Sequence, residues 1–84
     1  MNAFECYELV RALNLRLGRE GYESVATDLS EFISTTFSGT EILMGLRWKL
    51  GKFVDSDPML TSETMKEARY VLACLDELLG HSRN

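Results

Sequence analysis

Residues 60–80 read LTSETMKEARYVLACLDELLG, and this stretch decides the fold. Met65, Ala68, Leu72, Leu75 and Leu79 recur at spacings of 3, 4, 3 and 4, with Val71 and Leu78 widening the stripe. That is the period of an amphipathic α-helix. Thr61 is placed to cap its start, and Leu60 to staple onto Met65 one turn in. Gly80 is placed to close it. A helix over 61–79 is expected, with His81-Ser82-Arg83-Asn84 as a polar tail.

Upstream, three more stretches carry the same period. Cys6, Leu9, Val10, Leu13 and Leu17 share one face of a helix over 3–17, opened by an Asn2/Glu5 capping box and stopped by Gly18 and Gly21. Val25, Leu29, Phe32, Ile33 and Thr36 line one side of a helix over 22–36, with Ser24, Asp28 and Glu31 opposite. Its end is soft: Ile33, Thr35, Thr36 and Phe37 are β-branched or aromatic, so a strand through Glu31 to Phe37 competes. Ser38-Gly39-Thr40-Glu41 is a capping box for a helix over 40–54, in which Ile42, Leu43, Leu46, Leu50, Phe53 and Val54 keep the spacing. Gly45 and Gly51 each weaken that helix by about 1 kcal/mol relative to Ala. Gly45 either admits a neighbouring helix closely or simply marks a weak one. Asp55-Ser56-Asp57-Pro58 ends the segment, because proline disfavours helical geometry at the residue before it. Links of a few residues favour antiparallel neighbours. The expected fold is all-α: one domain, residues 1–84, built as a compact antiparallel four-helix bundle.

Composition bounds the function. A chain of 84 residues buries about 60–65% of the surface its unfolded form exposes, enough for one modest core and no cofactor domain. Hydrophobic residues make up 45%, too many for a disordered chain. Nine Lys and Arg against 13 Asp and Glu leave a net charge of −4, which disfavours coating nucleic acid or anionic lipid. The start Met-Asn-Ala-Phe-Glu lacks the features of a signal peptide, and no run approaches the roughly 20 apolar residues of a membrane span. Two cysteines, Cys6 and Cys74, read as thiols of a cytoplasmic protein rather than a disulfide framework.

A search for chemistry finds little. His81 is the only histidine, and it lies in the tail, away from a nucleophile–base pair. No CxxC or HxxxH spacing offers a zinc site, and Glu77 with His81 only faintly echoes a di-iron motif. Asp55-Ser56-Asp57 begins like a calcium loop, but the count puts Leu60 where glycine is needed and Lys66 where a bidentate Glu is needed. Gly18 and Gly21 follow a helix, not the strand that precedes a phosphate loop. No catalytic residue, cofactor or metal is expected, and the protein reads as a non-enzyme.

Charge placement is the remaining signal. Between Glu20 and Leu46 stand five acids (Glu20, Glu23, Asp28, Glu31 and Glu41) and no Lys or Arg. Such a run is either a solvated helix face or a docking surface for a basic partner. Arg47, Trp48, Lys49 and Lys52 cluster on the third helix, the one place a helix–turn–helix reader of DNA would use. Three cations neutralise few phosphates, so solvated charge beside a partly packed Trp48 is the plainer reading.

The run Gly-Thr-Glu-Ile-Leu-Met-Gly-Leu-Arg-Trp-Lys-Leu at Gly39 to Leu50 adds a family likeness. With the preceding Leu-x-x-x-Gly-Tyr and the acidic helix, it resembles small helical immunity proteins of bacterial contact-dependent toxin systems, of the MafI-like kind. The pattern spans residues 9–79 and is sharpest from Phe37 to Leu50. The resemblance implies a cytoplasmic protein that neutralises a cognate toxin by binding it, and carries over no catalytic or contact residues. The expected function is therefore a protein-binding module, an immunity protein docking a basic toxin domain through Glu20, Tyr22, Glu23, Asp28 and Glu31. Tyr22 would be the aromatic anchor. A homodimerising structural or regulatory module and a DNA-binding regulator are the alternatives. No membrane partner is expected.

Overall fold

Helices this short are marginal in water by themselves, so their apolar stripes must be buried against one another. The computed structural model, which describes residues 2–36, 38–56 and 60–80, shows how. Its helices are α1 (Ala3–Arg19), α2 (Glu23–Thr35), α3 (Gly39–Ser56) and α4 (Ser62–Leu79). No strand occurs among the described residues. Each helix packs on its two neighbours in a ring, most extensively α1 on α2 and α3 on α4, then α1 on α4 and α2 on α3. The result is a four-helix bundle with a radius of gyration of 12.0 Å, close to the roughly 12 Å of a compact chain this long. The core joins Cys6, Val10, Leu13 and Leu17 of α1, Leu29 of α2, Ile42, Leu46, Leu50 and Val54 of α3, and Ala68, Val71, Cys74 and Leu75 of α4, with Leu60 beneath.

The caps explain the ends. Asn2 Oδ1 accepts from the Glu5 N–H at 2.9 Å while Glu5 Oε1 accepts from the Asn2 N–H at 3.0 Å, the complete capping box. Gly18 does not stop α1. The helix runs on to Arg19, and Gly21, at φ +93°, makes the turn. The Tyr22 N–H reaches Leu17 O at 2.8 Å and the Gly21 N–H reaches Gly18 O at 3.4 Å, a Schellman pairing that needs the left-handed residue. Tyr22 thus precedes α2 as its N-cap rather than belonging to it, and it makes no side-chain cap bond. Ser38 Oγ accepts from the Glu41 N–H at 3.4 Å at the start of α3. Thr61 Oγ1 accepts from the Thr64 N–H at 3.2 Å at the start of α4, and Gly80 ends it at φ +78°. The stop expected at Pro58, the calcium-like Asp57, Phe37 and the tail from His81 lie outside the described residues.

Residues 31–35 are helical, which removes the strand alternative over that span. Thr35 Oγ1 donates to Glu31 O at 2.8 Å and Ser34 Oγ to Ser30 O at 3.1 Å. Those bonds to the preceding turn let hydroxyl side chains sit within a helix. In α4 the buried stripe is Thr64, Ala68, Val71, Cys74 and Leu75. It is rotated toward Val71 from the expected one, and leaves Leu72 and Met65 half-buried. Gly45 proves to be a close-approach site: a Cβ there would collide with Phe32 Cζ and Cε2 of α2.

Candidate functional site

The five acidic-run positions expected to dock a partner divide in the structure. Glu20 follows α1 and turns inward. The hydroxyl of Thr64, fully buried, donates to Glu20 Oε2 at 2.8 Å, and Arg16 Nη1 lies 4.0 Å from the same oxygen. Arg16 Nε in turn donates to Glu67 Oε1 at 2.9 Å. Glu20 therefore sits at the N-terminus of α4, where a carboxylate opposes the helix dipole. It fastens α1 to α4 and is not a free docking charge. Tyr22 is half-buried, its ring edge-on to Phe53 with centroids 5.2 Å apart. It is an anchor of the bundle itself.

Glu23, Asp28 and Glu31 do lie together. They line one shallow depression on the outer side of α2, with Ser24 and Thr27 between them. The spacing places them there because Leu29, with Val25, Phe32 and Ile33 beside it, turns the opposite face to the core. α2 carries no Lys or Arg. Lys49 of α3 reaches this surface, its Nζ 3.1 Å from Asp28 Oδ2 and 5.4 Å from the centre of the Phe32 ring. Asp28 remains 58% exposed despite the pair.

Beside this depression, the seam between α1 and α2 opens as a second, more apolar groove. Its floor includes Gly18 and Ala26; its α1 edge carries Arg11, Leu15 and Arg19, and its α2 edge Glu23, Thr27 and Glu31. Leu15 stands 67% exposed there. Asn14 Nδ2 donates to Ser30 Oγ at 3.0 Å within the groove lining, and Asn14 Oδ1 is buried without a hydrogen-bond partner. Leu15 falls outside the Cys6, Leu9, Val10, Leu13 and Leu17 face of α1, which is the signal that could have singled it out.

The basic cluster of α3 is largely spent within the fold. Arg47 Nε donates to Asp76 Oδ1 of α4 at 2.6 Å, and Lys49 holds Asp28. Lys52 Nζ lies 4.7 Å from the Trp48 ring centre. Trp48 is 63% exposed rather than packed, and with Met44 one turn earlier it forms an apolar pair on the outside of α3. This arrangement gives no cationic stripe for phosphates.

The nucleophile candidates are buried. Burial pushes the Cys6 thiol up to about 11, with the adjoining Cys74 adding to the shift, and burial raises Cys74 likewise. At neutral pH Cys6 is a protonated, apolar core group. Among the described residues, no group of three or more His, Cys, Asp or Glu is arranged to hold a metal ion, and no helix is long and apolar enough to cross a membrane.

Comparison with known protein families, with characterised proteins and with solved structures finds no match to this chain. The likeness to immunity proteins therefore rests on the sequence pattern centred on residues 37–50.

Proposed function

We propose that the protein is a non-enzymatic binding module that takes a basic protein partner on the outer face of α2, and that the partner is a bacterial toxin domain which it neutralises in the cytoplasm. The observation that carries the docking reading is the shared depression of Glu23, Asp28 and Glu31 on a helix with no cation of its own. A basic partner would gain association rate and register from such a face. Glu20 and Tyr22 drop out of the contact set, since both are engaged within the bundle. The toxin reading adds the sequence resemblance to this surface.

Co-expression with the product of the gene immediately upstream tests both parts. Wild type should co-purify with that product and relieve its inhibition of growth. Glu23→Lys with Glu31→Lys should lose both effects while melting at nearly the wild-type temperature, because both side chains are exposed. Equal co-purification of variant and wild type would remove the acidic face from the interface. A bound upstream product that does not inhibit growth would remove the toxin and leave the docking.

A further inference from the structure

The α1–α2 groove has a property that neither helix has alone: its two edges carry opposite charge. The Asn14–Ser30 bond joins the two antiparallel helices along the groove, with Arg11, Leu15 and Arg19 on one edge and Glu23, Thr27 and Glu31 on the other. Across the groove these residues do not form ion pairs within one copy. Arg11 is held instead by Glu8 of its own helix at 2.6 Å, with its side chain 70% exposed.

We infer that this groove is the self-association surface of the protein, occupied by a second copy related by a two-fold axis running along the groove. Symmetry and charge together select that axis. Rotation about a line parallel to the helices lays α1 of one copy over α2 of the other at the same height. The Arg11 and Arg19 edge of each copy then faces the other's Glu23 and Glu31 edge, with Leu15 between them against the Thr27 side of the Gly18–Ala26 floor. Every contact occurs twice, as an isologous interface requires. Rotation about a line across the helices would lay α1 on α1 and α2 on α2, setting edges of like charge against each other, so it is rejected.

Size fixes the strength to look for. α1 has 17 residues, a length of about 25 Å, and two helices side by side are about 20 Å wide. Two such faces bury on the order of 1,000 Å² in total, at the low end of specific interfaces. The dimer is therefore reversible and depends on concentration. The Arg11–Glu8 pair opposes it little, since exposed i,i+3 pairs are weak. Because Glu23 and Glu31 lie in both surfaces, a second copy and a basic partner exclude one another, but the dimer is measured on the protein alone and does not rest on the partner reading.

Sedimentation equilibrium of the full chain, from micromolar to millimolar concentration and at two salt concentrations, is the test. The expected result is a mass rising from one copy to two, with weaker association in high salt. Leu15→Glu should raise the dissociation constant by about tenfold or more, as loss of a central contact does. The decisive experiment uses two charge variants. Arg11→Glu with Arg19→Glu makes both edges acidic; Glu23→Arg with Glu31→Arg makes both basic. Each should be monomeric alone with an unchanged circular dichroism spectrum, and an equimolar mixture should form a heterodimer. Wild type that stays monomeric throughout would overturn the inference. So would a wild-type dimer that these charge variants leave intact, or a mixture that does not associate.

Discussion

α4 and α2 occupy equivalent places in the ring but are held in opposite ways. α4 buries Thr64, Ala68, Val71, Cys74 and Leu75, is capped by Thr61 and closed by Gly80, and receives ion pairs from Arg16 and Arg47. α2 buries Leu29 alone, starts without a side-chain cap, and leans on half-buried Val25, Phe32 and Ile33. The difference teaches where this bundle keeps its stability and where it leaves surface. A helix seated on few residues has more of its circumference free, and α2 uses that circumference for Glu23, Asp28 and Glu31.

The largest effect that can break this comparison is in α4. Leu75→Ala should cost about 2–5 kcal/mol, the usual range for emptying a fully buried leucine site. Leu75 shows no exposed surface, whereas Leu72 is half-buried, so Leu72→Ala should cost clearly less. Urea denaturation of both variants decides it. Equal losses would mean that the buried stripe of α4 runs through Leu72 after all. Against a total of about 5–15 kcal/mol for a small domain, the Leu75 loss would be a large fraction.

The Leu72 and Leu75 pair also shows what the sequence could and could not tell. Period established that 65, 68, 72, 75 and 79 share a side, along with the number and bounds of the helices to within a few residues. The centre of the buried side depends on where the neighbouring helices cross, and that shifted it to Val71 and Cys74. Thr64 is not legible as a core residue because its burial requires a hydroxyl acceptor, and the acceptor, Glu20, is 44 positions away in the chain. For the same reason Glu20 looked like surface charge: an acid in a charge run carries no mark of a partner in another helix. Asp28 and Glu31 are legible, since both lie off the Leu29 face of one helix and need no long-range information. The groove was not, because each edge comes from a different helix. Gly45 was half-legible; sequence shows the missing side chain but not the ring that fills the space.

That ring gives the second prediction. Gly45→Ala at an ordinary helical site would stabilise by about 1 kcal/mol. Here the new methyl would meet Phe32, and forcing an extra carbon into a packed contact costs about 1–3 kcal/mol. The expected outcome is a lower melting temperature, recovered in part by Phe32→Leu in the same chain. A double-mutant cycle measures the coupling between the two positions. Stabilisation by the single variant would sharpen the comparison in another direction, by showing that α2 is seated loosely enough to move aside.

The smallest effect concerns the ion pair that joins the acidic face of α2 to α3. Asp28 and Lys49 meet at 3.1 Å, yet Asp28 is more than half exposed. Exposed pairs of this kind contribute about 0–1 kcal/mol and weaken with salt. Asp28→Asn should therefore shift the midpoint of unfolding only slightly, and the shift should vanish as salt is raised. The replacement keeps the shape of the side chain and removes only its charge, so any larger loss has to come from Lys49. Lys49 lies over the Phe32 ring, and Phe32 is the residue seated on Gly45. A loss near that of Gly45→Ala, persisting in high salt, would mean that Asp28 positions Lys49 on the ring and helps to seat α2. The acidic face would then be structural at Asp28, leaving Glu23 and Glu31 to meet a partner.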